Sequence, residues 1–202
     1  MTAVAELPVG FADKVLSAQL TFRSVMDAMA RPGTVQRIVA AAGAPAIMMR
    51  GTAAIALTLF DQDTPVWLDP SMSETSDVAK WLKFHSGAPV IPDSSICSFA
   101  LIGKADALPS LDRFSFGSDE YPDRSTTLIL QVESLTQGPA LTLRGPGIDG
   151  TAVLRAAIRP FDLFERLAIN AALFPRGIDV VLVADAAIAA IPRTTRLVAK
   201  GD

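Results

Sequence analysis

The sequence is poor in the side chains that covalent and proton-transfer chemistry most often uses. Its 202 residues include one cysteine (Cys97), one histidine (His85), one tyrosine and two tryptophans. A single cysteine excludes an intrachain disulfide framework and a thiolate metal cluster. A single histidine excludes any constellation that needs two. Charged side chains are scarce as well, at 19% against roughly 25% for an average soluble domain. Eighteen Lys and Arg against 21 Asp and Glu leave a net charge of −3, so there is no basic excess to support nonspecific nucleic-acid binding. No uncharged apolar run reaches the roughly 18 residues of a membrane span. The N-terminal stretch carries Glu6 and no basic segment, unlike a secretory leader. A cytoplasmic protein without a membrane or nucleic-acid partner is the expectation.

What is present is apolar. Half of the residues are hydrophobic, enough for one full core and short for two ordinary domains. An alanine-rich composition accounts for part of that excess. Surface covered by partners is the other reading.

The apolar spacing predicts a helix over Leu16–Ala30 with Ala18, Phe22, Val25, Met26 and Met29 inward, and Gln19, Arg23 and Asp27 on another face. Arg31-Pro32-Gly33 stops it, and Thr34–Val39 reads as a short strand. Gly51–Phe60 is helix or strand by periodicity; its alanines and a Thr52 cap favour helix. Pro65–Leu68 and Cys97–Ile102 read as strands, with a helix over Thr75–Phe84 between them that turns Val78, Trp81 and Leu82 inward. Residues 103–125 are irregular, with a short helix near Leu108–Phe114, and are expected to be a mobile or partner-ordered loop. Thr127–Glu133 is the clearest strand, and Gly138-Pro139 joins it to Ala140–Leu143 as a hairpin or meander. An amphipathic helix over Pro160–Ala172 follows, with Phe161, Phe164, Leu167 and Ala168 on one side. Ile178–Val183 and the pieces Ala189–Ile191 and Thr194–Val198 read as strands. Helices interspersed with strands make one mixed α/β domain over residues 1–202, with a central sheet flanked by helices.

No dinucleotide or phosphate-loop fingerprint is present. His85 is open to two readings, a general base or donor and a capping or packing residue beside Gly87; the second is cheaper. Cys97 reads as a buried structural thiol. Asp61, Asp63 and Asp69 offer hard oxygen ligands for magnesium, and turn capping explains them more simply. Asp119, Glu120 and Asp123 read as a solvated face. Seven arginines lie in the C-terminal third: Arg144, Arg155, Arg159, Arg166, Arg176, Arg193 and Arg196. Guanidinium groups hold carboxylates or phosphates through paired donors. Arg144 with Gly145 and Gly147, and Arg193 with Thr194, are candidate anion ligands. Internal or intersubunit salt bridges are the alternative.

Several short motifs are distinctive in their order. They are Gln19-Leu20-Thr21-Phe22-Arg23, Met26-Asp27-Ala28-Met29 with Pro32-Gly33, Leu57-Thr58-Leu59 through Asp61, and Asp63-Thr64-Pro65-Val66-Trp67-Leu68. Phe84-His85, Ala88-Pro89, Thr127–Val132, Gly145-Pro146-Gly147-Ile148, Phe174–Asp179 and Ile191–Thr195 follow. Over residues 19–196 the chain resembles the H-subunit family of the bacterial carbon–phosphorus lyase core complex. It departs from that family at Pro122-Asp123, where Pro-Glu is common, and at Arg176, where Leu is common.

The resemblance implies a fold similar to that of pyridoxal-phosphate-dependent transferases without their cofactor site, and hence no cofactor. It also implies a homodimer when isolated, and G, I and J subunits as partners in a two-fold assembly. The implied role is a non-catalytic accessory subunit in phosphonate catabolism. It would support formation of α-D-ribose 1-methylphosphonate 5-triphosphate from ATP and methylphosphonate, with the catalytic steps in the I and J subunits. The alternative is direct binding of phosphonate, phosphate or nucleotide in a cleft where Arg144, Arg193 and His85 meet. A free-standing hydrolase is poorly served by one histidine and no nucleophile elbow.

Overall fold

The computed structural model describes residues 9–158 and 163–198. Its frame is a six-stranded sheet in the order β1-β8-β7-β4-β3-β2. The strands are β1 (Gln36–Arg37), β2 (Val66–Leu68), β3 (Phe99–Ile102), β4 (Thr127–Gln131), β7 (Asp179–Ala184) and β8 (Ala187–Ile191). The four strands β2, β3, β4 and β7 run parallel, while β8 and β1 are antiparallel additions at one edge. Val90 makes an isolated parallel bridge to Val66 beside β2. A separate antiparallel sheet, in the order β6-β5-β9, comprises β5 (Ala140–Arg144), β6 (Ala152–Arg155) and β9 (Arg196–Val198).

The central strands are apolar at nearly every position because both faces are buried. Successive side chains alternate between two cores. Leu101, Ile129, Val181 and Val183 face one core, with Val25, Ile55, Met72 and Trp81 from the helices. Ala100, Leu128, Leu130, Val180 and Leu182 face the other, with Phe114, Leu143, Leu154 and Leu167. The helices are α1 (Lys14–Ala30), α2 (Arg50–Leu59), the short α3 (Pro70–Ser73), α4 (Ser76–His85) and α5 (Leu163–Ala172). Four of them, α1 to α4, line the first core. On the opposite side, α5 and the small sheet close the second. The mixed α/β domain with a central sheet flanked by helices is therefore present. Among the described residues no helix is long and apolar enough to cross a membrane.

Several local expectations need correction. Thr127–Gln131 and Ala140–Arg144 do not pair: β4 has parallel neighbours on both sides, so it has no free edge to offer β5. Instead β5 pairs with β6 and β9. The strand β6 was not expected from the sequence at all. On α1 the buried face is Ser17, Thr21, Val25 and Ala28, and Phe22 and Met26 point outward at 50% and 51% exposure. Thr52 does not cap α2. It is buried in the first turn with its hydroxyl unpaired, and Gln131 accepts instead from the N–H of Met49, at the helix N-cap position, at 2.6 Å. Residues 103–125 form three 3₁₀ turns, at Ala105–Ala107, Leu111–Arg113 and Pro122–Arg124, and bury Leu108, Leu111 and Phe114 in the second core. The expected helix start at Pro160, with Phe161 and neighbouring Arg159, lies outside the described residues, as does Glu6.

Candidate functional site

The carboxyl ends of parallel strands are the usual place for a ligand in an open α/β sheet. A cleft of about 570 Å³ lies beyond β3 and β4, lined by Met49, Lys104, Gln131, Glu133, Pro139 and Ile158 among others. Its central polar group is already committed. The Gln131 Nε2 donates to the carbonyl of Ile47 at 3.1 Å and toward that of Gly103 at 3.4 Å, while its Oε1 takes the Met49 N–H. This amide is a clamp joining the start of α2 to the ends of β3 and β4. Among the described residues no cysteine, histidine or hydroxyl nucleophile lines the cleft.

Asp69, weighed from the sequence as a magnesium ligand against the simpler reading of turn capping, is fully buried at the end of β2. Its carboxylate accepts from Ser71 Oγ at 2.9 Å, from Met72 N–H at 2.8 Å and from Gly103 N–H at 2.9 Å. It caps α3 and fastens the end of β3. Gly103 permits this approach, since a Cβ there would stand 2.7 Å from Ser71 Oγ. Asp61 and Asp63 lie in a separate turn ahead of β2. Asp61 folds onto its own turn, accepting from Thr64 Oγ1 at 2.6 Å and from Asp63 N–H at 3.0 Å. Those bonds, Thr64 first, hold its carboxyl below the usual range. Among the described residues no three His, Cys, Asp or Glu side chains gather as a metal site.

Cys97 is buried, and its Sγ reaches the carbonyl of Ser94 at 3.2 Å. Burial pushes its thiol up, outweighing the bond with Thr126, which makes it a poor nucleophile. His85 ends α4 on the side of the first core, its ring 4.6 Å from Trp81 and 4.9 Å from Phe84.

The arginines divide sharply. Arg193 is turned inward onto Asp179. Its Nη2 lies 2.6 Å from Asp179 Oδ2, its Nε and main-chain N–H reach Oδ1 at 3.2 and 2.8 Å, and its Nη1 donates to the carbonyl of Pro122. Arg166 holds the carbonyl of Pro109 at 3.0 Å, Arg155 that of Gly138 at 3.3 Å, and Arg176 pairs with Asp119 at 3.3 Å. Arg144 and Arg196 are exposed. They stand directly opposite each other across β5 and β9.

Of the residues proposed to share an anion cleft, Arg144, Gly145 and Thr194 do lie together. With Pro146, Ala171, Phe174 and Arg196 they line a groove of about 400 Å³. Arg193 does not join them, because its guanidinium is held by Asp179 and Pro122. His85 is on the opposite side of the central sheet. Gly147 serves packing: at φ +80° it lies so close to α1 that a Cβ would fall 1.9 Å from the carbonyl of Ala30. Arg196 and Phe174 were not singled out as site residues from the sequence. Only the β5–β9 pairing, across a separation no local pattern spans, places Arg196 beside Arg144.

A family profile described as "Bacterial phosphonate metabolism protein (PhnH)" matches residues 9–198. The chain is 47% identical to the alpha-D-ribose 1-methylphosphonate 5-triphosphate synthase subunit PhnH of Rhizobium meliloti (strain 1021), over 98% of each chain. It is 30% identical to the putative C-P lyase subunit protein HtxG of Stutzerimonas stutzeri, over 99% of this chain and 97% of that one.

Proposed function

The chain belongs to the PhnH family of bacterial phosphonate metabolism proteins, and from this premise we propose that it is a non-catalytic accessory subunit of a phosphonate-processing complex. Its role is to support formation of α-D-ribose 1-methylphosphonate 5-triphosphate from ATP and methylphosphonate in organic phosphonate catabolism. The observation that carries this reading is the near full-length identity with a synthase subunit. The chemistry of the fold supports it. The cysteine is buried, the histidine packs against aromatic rings, and Asp69 and Arg193 are consumed by internal bonds.

The partners in this reading are G, I and J subunits and a second copy of the chain, in the cytoplasm. An exposed apolar stripe on α1, formed by Val15, Phe22 and Met26, supports a covered surface, since large exposed apolar patches mark contact sites. The outer part of the 103–125 segment, around Asp119 and Tyr121, is assigned to partner contact as well. The fold is read as a single domain and a relative of the pyridoxal-phosphate-dependent transferases without their cofactor. Its described lysines, Lys14, Lys80, Lys83 and Lys104, are all exposed, whereas a Schiff-base lysine is activated by desolvation or a cationic neighbour.

Co-purification of this chain with the other subunits, followed by synthase assays with and without it, tests the reading. Association and a loss of product on omission are expected. A chain that stays monomeric beside its partners, or turns over substrate alone, overturns it.

A further inference from the structure

Arg144 and Arg196 occupy an unusual position. Directly opposed residues on antiparallel strands hold their Cβ atoms about 5 Å apart on one face of the sheet, and like charges placed so repel. Neither guanidinium has a hydrogen-bond or ion-pair partner among the described residues, while Arg155, Arg166, Arg176 and Arg193 each have one. Among the described residues nothing compensates that repulsion. The surroundings are concave. Gly145 and Pro146 form one wall, Thr194 another, and Ala171 with the ring of Phe174 a third. Gly145 lets the loop close down: at φ +150° it approaches Thr194, whose carbonyl would be 2.8 Å from an added Cβ. Phe174, an apolar ring, is 61% exposed at the rim.

We infer that this groove binds the phosphate chain of a nucleoside-triphosphate-type ligand, with Arg144 and Arg196 on adjacent phosphoryl groups and Phe174 against the ring system. A single carboxylate satisfies one guanidinium through a paired contact. Two arginines at directly opposed positions, both lining one groove, match an anion that carries several charges within a short span. A small concave groove suits a small ligand, and an exposed aromatic face stacks any base. The inference goes beyond the accessory role, because it gives this chain a ligand of its own.

The test is calorimetric titration of the purified full-length chain with ATP, inorganic tripolyphosphate and adenosine. ATP is expected to bind more tightly than tripolyphosphate, and adenosine least. Arg144→Ala and Arg196→Ala should each weaken ATP and tripolyphosphate about tenfold or more, as expected for loss of a charge-assisted bond. Phe174→Ala should weaken ATP and leave tripolyphosphate unchanged. Arg23→Ala, on the exposed side of α1, should change neither. Melting curves confirm that each variant is folded. Absence of saturable ATP binding, binding indifferent to both arginine substitutions, or a Phe174→Ala variant that binds ATP like the parent overturns the inference. So does an arginine variant that keeps nucleotide affinity but no longer co-purifies with partner subunits, which marks the groove as a protein contact. No partner is needed for the titration, so its failure leaves the accessory-subunit reading standing.

Discussion

Arg193 and Arg144 belong to the same third of the chain and have opposite commitments. Arg193 is 15% exposed and its carboxylate partner Asp179 is 12% exposed, so each is mostly withdrawn from water. Removing one charge strands the other. Asp179→Ala is expected to lower unfolding free energy by about 3 kcal/mol in urea denaturation. Arg144 is exposed and has no partner among the described residues, so Arg144→Ala should stay within about 0.5 kcal/mol of the parent. The Gly145-Pro146-Gly147 loop gives a second contrast. Gly147→Ala drives a methyl group into the carbonyl of Ala30, while the same change at Gly150, also at positive φ, meets open space. The first should cost at least about 1 kcal/mol more than the second in the same measurement. Among carboxyl groups, Asp61 and Asp93 titrate below the ordinary aspartate range. Their main supports are the hydroxyls of Thr64 and Ser95, followed by main-chain N–H bonds. Their folded values lie below their unfolded ones. Any stability they add is therefore present above pH about 4 and lost as pH falls through the lowered values. An NMR titration of the side-chain carboxyls should find both below the unfolded reference.

Element by element, most of the fold was legible where one physical signal dominated. The run Thr127–Glu133 reads as the clearest strand and is one over Thr127–Gln131, and the Val78, Trp81, Leu82 spacing does mark the inward face of α4. Misreadings arose where two signals overlapped. On α1 the apolar residues span too wide an arc to be a core face alone. Val25 is buried, Ala18 and Met29 are half-buried, and Phe22 and Met26 turn to solvent. A sequence cannot divide such an arc between an internal core and an external surface. Ala140–Leu143 reads as a strand, and one runs over Ala140–Arg144, but its neighbour differs from the expected one because pairing is decided by edges that no local pattern reports. For the candidate site, Arg144, Gly145 and Thr194 were legible as candidates and Arg196 as their companion was not. Arg193 was indistinguishable in sequence from a free arginine. The α1 arc yields a prediction at its own scale. Phe22→Ser with Met26→Ser should leave the melting temperature of the isolated chain nearly unchanged and weaken self-association or partner co-purification. Analytical ultracentrifugation and pull-down read the two effects separately.

At the scale of the whole molecule, two cores share one sheet, and each owns a tryptophan: Trp81 lies in the first and Trp67 in the second, edge-on to Phe114 at 5.6 Å. The strands between them belong to both, so neither core can dissolve alone without unmaking the other's wall. Variants carrying only one tryptophan, made by Trp67→Phe or Trp81→Phe, should each show fluorescence unfolding that coincides with that variant's own far-UV transition. Separate midpoints within either variant would divide the single domain proposed above. The doubly covered sheet has another consequence. A strand greasy on both sides gains little from one alignment over the next, because a slip by one residue exchanges two equally oily faces. Alignment must be fixed at the tips. Thr126 grips the carbonyl of Cys97 at 2.8 Å just ahead of β4 and β3, Asp69 takes the N–H of Gly103 just beyond β3, and Asn170 holds Ile178 by its N–H and carbonyl ahead of β7. These few polar side chains act as end-stops on otherwise smooth rails, and they decide which rung meets which.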